Sequence, residues 1–391
     1  MKRLPGIIVR VLVGVLVVVV SAGIFFTLNT RRLPNQSAIS DRLSPAEKAR
    51  LAELFHLRQT VGESVWPGWG QADIPVIAYN ESYAFLLGLD DPAVGWLQMP
   101  QNRPRGGPWE MVPGDTFLGR PYYRQELTNG ITPQAFTVRV GEVWVASLQT
   151  KEWLEIALRQ QTQAELPAPL DQALPYAWLI PPLIGHTEGY IAKVAHETFH
   201  AYQGQVAPER LDNAETAQQS YASRYPWNDP LFTDDWRQEL SLLAAALEAD
   251  SPADRTELVR RFLAQRDHRR LQRGLPAAGE IYERQREWLE GMALYVELAT
   301  WRQASQSDYA PLPELVALDA DFYGYGDFDG QWRRAISTLR RQANQGDTRF
   351  YYSGMAQAFL LDALLPGWKD RIMEGGVWLE GLLAEAVAAA D

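Results

Sequence analysis

The sequence predicts an α+β chain, predominantly helical, with a membrane-spanning helix at its N-terminus. Three observations point there. Residues 7–28 are apolar almost throughout, Arg10 apart. Phe136 to Leu148 alternates around a Gly141-Glu142 turn and reads as a β-hairpin. From Lys151 onward the chain reads as mostly helical, its segments separated by Gly and Pro clusters.

The chain has 391 residues, 46% of them hydrophobic, enough for a large core. Its 14 Trp, 16 Tyr and 13 Phe belong to a folded chain. The net charge of −11 argues against a nucleic-acid partner, because phosphate binding uses clustered Lys and Arg. There is no cysteine, which excludes disulfides, thiolate zinc sites, iron–sulfur clusters and a Cys nucleophile. Any metal must be held by His, Asp or Glu.

Crossing a bilayer takes about 20 apolar residues, and the stretch 7–28 meets that length. Lys2, Arg3 and Arg10 precede or open it, and Arg31 and Arg32 follow. The charge balance predicts a single-pass membrane protein with a cytoplasmic N-terminus and an extracytoplasmic catalytic part. A cleaved signal peptide, processed near Ser21-Ala22-Gly23, is the alternative. The expected organisation is an anchor or signal over 1–29, a linker over 30–43, an α/β part over 44–150 and a helical part over 151–391. Ser44-Pro45-Ala46-Glu47 predicts a capped helix start, with the helix running to about Gln59. Residues 61–133 read as loops with short strands, such as Ile74 to Tyr79. Ser251-Pro252 opens another capped helix.

Tyr190 to Gln203 predicts one amphipathic helix containing His196-Glu197-Thr198-Phe199-His200. Side chains four apart share a helix face, so both imidazoles can reach one zinc ion. Glu197, one step around, can reach a water on that ion. Lys193, four before Glu197, either pairs with it or is solvated. A catalytic zinc wants a third protein ligand. Of the other histidines, His56 reads as structural and His186 as a helix-start residue that could line the cleft. His268 reads as solvated surface within Arg266-Asp267-His268-Arg269-Arg270. Carboxylate candidates cluster at Glu287, Glu290 and Glu297 in Glu287-Trp-Leu-Glu-Gly-Met-Ala-Leu-Tyr-Val-Glu297.

That segment resembles the gluzincin zinc metallopeptidases, in particular the catalytic domain of the membrane alanyl aminopeptidases. Their Trp-Leu-x-Glu-Gly-x-(Ala/Thr)-x-Tyr-x-Glu helix supplies the third zinc ligand through its first Glu. The resemblance implies a zincin, thermolysin-like catalytic domain and one zinc per chain. The metal ligands it implies are His196, His200 and Glu290, with Glu297 supporting the site and Glu287 as the fallback ligand. Tyr351-Tyr352-Ser353-Gly354 resembles the family's Tyr-x-Lys-Gly pattern, whose Tyr stabilises the oxyanion. That role falls on Tyr351, with Tyr352 as the alternative. Ser353 replaces the pattern's Lys, and no Gly-x-Met-Glu-Asn segment occurs, so aminopeptidase specificity is not implied.

The expected function is a membrane-anchored zinc metallohydrolase, a peptidase acting on a peptide or protein substrate, with Glu197 and Tyr351 as its catalytic residues. The alternatives are a tethered binding or scaffold protein with a degenerate site, and a non-peptide amide or ester hydrolase. The acidic stretch Asp319 to Gly330 lacks the bidentate Glu of a calcium-binding EF-hand. Phosphate-loop and Ser-nucleophile motifs are absent. The strand Glu142 to Ser147 is a candidate edge strand for an extended substrate.

Overall fold

The computed structural model describes residues 25–100, 104–127, 132–133 and 138–390. Helix α1, Pro45–Val65, starts as expected: Ser44 caps it by accepting from the Glu47 amide, and Pro45 occupies the first turn. It runs one and a half turns past Gln59, to the loop that starts at Trp66.

The strands are β1 Val76–Tyr79, β2 Tyr83–Leu87, β3 Leu97–Gln98, β4 Glu110–Met111, β5 Tyr123–Glu126, β6 Val138–Val140 and β7 Val143–Gln149. They form one mixed sheet in the order β3-β6-β7-β1-β2-β5-β4. The expected hairpin is β6–β7, with Val140 opposite Val143 across Gly141-Glu142. Only the β1–β7 pair is parallel. β7 therefore lies between β6 and β1, and its expected place at the sheet edge is corrected. Its apolar run Val143-Trp-Val-Ala reports two covered faces, which says nothing of its rank in the sheet.

Period-2 alternation divides the strands between two cores. Val76, Ala78, Phe85, Leu87 and Ala146 face the main core, while Ile77, Tyr79, Ala84, Leu86 and Val145 face a smaller one. The main core continues through the helices. These include α2 Lys151–Glu165, α3 Thr187–Val206, α4 Pro208–Tyr221, α5 Pro230–Glu248 and α6 Pro252–Gln272. They continue with α7 Ala277–Arg286, α8 Met292–Gln306, α9 Thr348–Leu364 and α10 Leu379–Ala388. One core thus runs through both the α/β part and the helical part.

The membrane-spanning helix in the expected fold class is corrected. Among the described residues no helix is long and apolar enough to cross a membrane. Of the expected span, residues up to 24 lie outside the described residues, as does the signal-cleavage position. Residues 25–30 are helical, a length of about 9 Å at 1.5 Å per residue. This turn packs on protein: Phe26 meets Trp178 edge to face at 5.7 Å, and buried Thr30 donates to the Leu174 carbonyl. The single-pass membrane localisation loses its support with the helix.

Arg266, Arg269 and Arg270, the basic neighbours of His268 in sequence, are buried. Arg266 pairs with Glu239, Glu287 and Glu380; Arg269 with Glu239 and Glu283; Arg270 with Glu283 and Glu380. Buried charges persist when paired and hydrogen-bonded. The four carboxylates come from α5, α7, the turn after α7, and α10, all remote in sequence from α6. His268 itself is exposed as expected.

Candidate metal centre

Helix α3 carries the two histidines, and both are buried. An adjoining face is anchored by Phe199, fully buried between Trp66 and Trp69 at ring separations of 4.9 and 6.2 Å. Near its C-terminal end Gly204 lies against the Trp144 ring of β7, where a Cβ would come within 2.5 Å. The helix is thereby fixed in rotation, with His196 and His200 turned away from the sheet and towards α8 and α9.

The third candidate donor, Glu290, comes from a backbone irregularity. Between α7 and α8, residues Glu287–Gly291 form a π turn. A π turn shifts the following side chains around the axis and upsets the regular carbonyl partnering. Here the Trp288 and Leu289 carbonyls accept from Gln203 Nε2 of α3, at 2.9 and 3.4 Å. The turn and the metal helix are thus joined by hydrogen bonds beside the site.

The donor atoms converge. His196 Nε2 and His200 Nε2 are 3.1 Å apart, and Glu290 Oε2 lies 3.6 and 3.4 Å from them. A tetrahedral zinc with ligands at about 2.0–2.1 Å spaces its donor atoms roughly 3.3–3.4 Å apart. The triangle therefore has the dimensions of one zinc coordination face. The outward nitrogens fix the tautomers. Gln203 donates through Nε2 to the π turn, so its Oε1 accepts from His200 Nδ1 at 2.9 Å. Glu297 Oε2 lies 3.4 Å from His196 Nδ1. With both rings neutral and protonated on Nδ1, the two Nε2 lone pairs would converge with the carboxylate on one point, where a metal cation takes the place of the proton that His196 otherwise holds. Two imidazoles with one carboxylate suit zinc better than magnesium or calcium, which prefer all-oxygen shells.

The electrostatics agree with a cation site. Burial lowers the His196 pKa, but the Glu290 and Glu297 carboxylates outweigh it and raise the value to about 10. Burial raises Glu290, yet Arg286 and the two imidazoles hold it well below the usual carboxylate range. Arg286 Nη2 donates to Glu290 Oε1 at 2.8 Å, leaving Oε2 for the imidazoles. Burial raises the Glu197 pKa against the pull of His196 and His200. Among the described residues no hydrogen bond holds the Glu197 carboxylate. Lys193 does not pair with it; it is exposed, as the solvated reading expects, and its Nζ donates to the Ile184 carbonyl.

Tyr351, on α9, stacks on His196 at 6.1 Å with the rings 16° apart. Burial and the Glu290 charge push its pKa far up, so the phenol keeps its proton. Tyr352 faces Glu297 and Thr338 instead. The fallback ligand Glu287 is corrected: Arg266 grips both its oxygens at 2.9 and 2.6 Å, and Ser353 donates to it at 2.6 Å. His186 caps α3 and meets Asp321 at 2.8 Å, while His56 bonds the Ala310 carbonyl at 3.1 Å. Neither reaches the centre.

Sequence reasoning did not single out Gln203, Arg286 or Glu215. The first two sit at helical spacing from a ligand, Gln203 three after His200 and Arg286 four before Glu290, and that spacing was the available signal. Glu215 of α4, its pKa raised by burial, feels Arg286, Glu290 and His200; no motif marks it. Comparison with protein-family models, curated proteins and solved structures finds no match for the chain.

Proposed function

We propose that this chain is a zinc-dependent hydrolase that cleaves an amide bond, with a peptide or protein as substrate. The reading is supported chiefly by the triangle of His196 Nε2, His200 Nε2 and Glu290 Oε2, with His200 hydrogen-bonded to Gln203, Glu290 to Arg286, and the Glu297 carboxylate 3.4 Å from His196 Nδ1. These three residues would hold the zinc. When bound, zinc supplies Lewis acidity, which makes water acidic near neutral pH and polarises a carbonyl.

The chain's own groups carry the proton traffic. Glu197 takes the proton of the attacking water on its carboxylate and returns it to the leaving nitrogen. Its raised pKa suits both transfers, and an amide nitrogen leaves only once protonated. Tyr351, kept protonated, donates to the oxyanion that develops on the carbonyl oxygen. Gln203 and Glu297 hold the imidazoles in the tautomers that present Nε2, and Arg286 holds Glu290.

The test is elemental analysis of the zinc-loaded protein beside hydrolysis of a peptide library. One zinc per chain, lost in His196→Ala, with peptide cleavage that Glu197→Gln abolishes, is the expected result. A wild-type protein that binds no zinc defeats the metal centre. Zinc binding without cleavage of any peptide or amide defeats the hydrolase reading.

A further inference from the structure

A cavity of about 270 Å³ lies between α1 and the loops 70–73, 88–90 and 117–121. None of the metal-centre residues lines it. Phe55, Leu89, Phe117, Leu118 and Pro121 supply apolar wall, and Arg58 supplies a charge.

Arg58 is only 4% exposed and has no carboxylate ion-pair partner. Its position is set by backbone. Gly62 and Gly70 let the loop after α1 lie directly on the helix, since a Cβ on Gly62 would stand 2.8 Å from the Gly70 Cα. That approach brings the Trp69 and Ala72 carbonyls onto one nitrogen, Nη1, at 3.0 and 2.5 Å. Among the described residues, Nε and Nη2 donate to no protein acceptor. Those two nitrogens form the edge of a guanidinium that takes a carboxylate in two parallel hydrogen bonds. Burial lowers the Arg58 pKa to about 10, against a small opposing pull from Asp73. The group therefore stays charged at neutral pH, and a desolvated, uncompensated cation beside a cavity attracts an anion.

The remaining charges select the anion. Arg120, which also lines the cavity, is already paired with Asp90. With Asp90 neutralised by Arg120, Asp73 on the wall disfavours a second negative charge, as in phosphate. The volume admits a small molecule, below the range of drug-sized ligands.

We propose that this cavity binds a monocarboxylate carrying a short apolar tail, its carboxylate on the Nε–Nη2 edge of Arg58 and its tail against Phe55, Phe117 and Leu118. Two sources share that chemistry: a free organic acid, and the C-terminal carboxylate of a peptide ending in an apolar residue.

The experiment is calorimetric titration of the whole chain with hexanoate, hexanol and hexylamine, and with an acetylated peptide ending in leucine as the free acid or the amide. Hexanoate is expected to bind at least about tenfold tighter than hexanol, the scale of one charged hydrogen-bonded contact. Hexylamine is expected not to bind. The free-acid peptide binding while its amide does not identifies peptide termini as occupants; hexanoate alone binding identifies free acids. Arg58→Lys keeps the charge but loses the fork, and it should weaken hexanoate about tenfold. Because Arg58 also ties the 69–72 loop, a second variant guards against misfolding. Leu118 is 62% exposed at a φ of 49°, a conformation that Asp tolerates well. Leu118→Asp should fold normally and weaken hexanoate by charge repulsion. Hexanol binding as tightly as hexanoate, no hexanoate binding at all, or full affinity in Leu118→Asp each overturns the assignment.

Discussion

Gly291 and Gly354 meet backbone to backbone. A Cβ on Gly291 would stand 2.4 Å from the Gly354 Cα, and one on Gly354 would stand 2.4 Å from the Glu287 carbonyl oxygen. The contact joins the π turn that carries Glu290 to the helix that carries Tyr351, and no other residue type permits it. The glycine after Glu290 and the glycine three after Tyr351 thus serve the same geometric purpose.

Gly354→Ala should therefore force α9 away from the π turn. Overpacking of this kind costs about 1–3 kcal/mol, which urea unfolding will read as a lower midpoint. Zinc affinity should weaken, because the added methyl presses on the π turn that carries Glu290, and the hydrolysis rate should fall as Tyr351 retreats. An unchanged midpoint and rate would mean that the helices separate freely and that the close approach has no role.

Gln203→Leu tests the orientation of His200. Leucine nearly matches the volume but removes the acceptor on Nδ1 and the donors to the Trp288 and Leu289 carbonyls. Loss of such a supporting partner costs roughly 10–100-fold in metal affinity. Competition with a chromogenic chelator will measure it, with far-ultraviolet circular dichroism as the fold control. Wild-type zinc affinity in the variant would show that the His200 tautomer is set by something else.

The buried ion-pair network predicts an acid transition. Burial raises Glu283, but Arg269 and Arg270 outweigh that and hold it at about 2, against an ordinary value of 4.5. Glu380 is depressed in the same way by Arg266 and Arg270. A carboxyl group whose folded pKa is lowered stabilises the fold fully above its unfolded pKa and loses that contribution as pH falls to the folded value. Stability should thus fall between about pH 4.5 and 2. Glu188 and Glu215, raised by burial, act with the opposite sign, but their gain comes as pH falls towards about 4.5 and is complete before this loss begins. Glu283→Gln leaves Arg269 and Arg270 short of a partner and should cost about 3–5 kcal/mol at neutral pH. Urea midpoints across this pH range will check both statements, and a flat profile for the wild type would contradict them.

The parts of the centre legible in sequence were those carried by helical spacing. His196 and His200 are one turn apart whatever packs around them, and Ser44 and Ser251 mark helix starts because a hydroxyl before Pro satisfies open amides locally. What stayed hidden depends on partners distant in the chain. The π turn at Glu287–Gly291 has no residue period of its own and is held by Gln203. Nothing local marks Arg266, Arg269 and Arg270 as buried, because the four glutamates that pair with them lie on other elements. The interior place of β7 follows from its parallel pairing with β1, which no local pattern encodes.

The last prediction separates ligand, base and oxyanion donor. Glu290 lies within 3.6 Å of both imidazole Nε2 atoms, so Glu290→Ala should lose zinc and activity together. Glu197 belongs to no corner of the donor triangle, so Glu197→Gln should keep the zinc. It should still lose about 10²–10⁴-fold in turnover, the usual share of general-base catalysis. Tyr351→Phe keeps the ring on His196 and removes only the hydroxyl. It should keep zinc and KM and lose about 10²-fold in kcat, the scale of one oxyanion donor. Zinc stoichiometry measured beside kcat and KM on the three variants decides. Full zinc in Glu290→Ala would remove Glu290 from the ligand set, and Glu287, bound to Arg266 and Ser353, could not replace it. A wild-type rate in Glu197→Gln would end the proton-transfer role. A loss confined to KM in Tyr351→Phe would make Tyr351 a substrate-binding residue, since an oxyanion donor acts on the transition state and leaves the ground state alone.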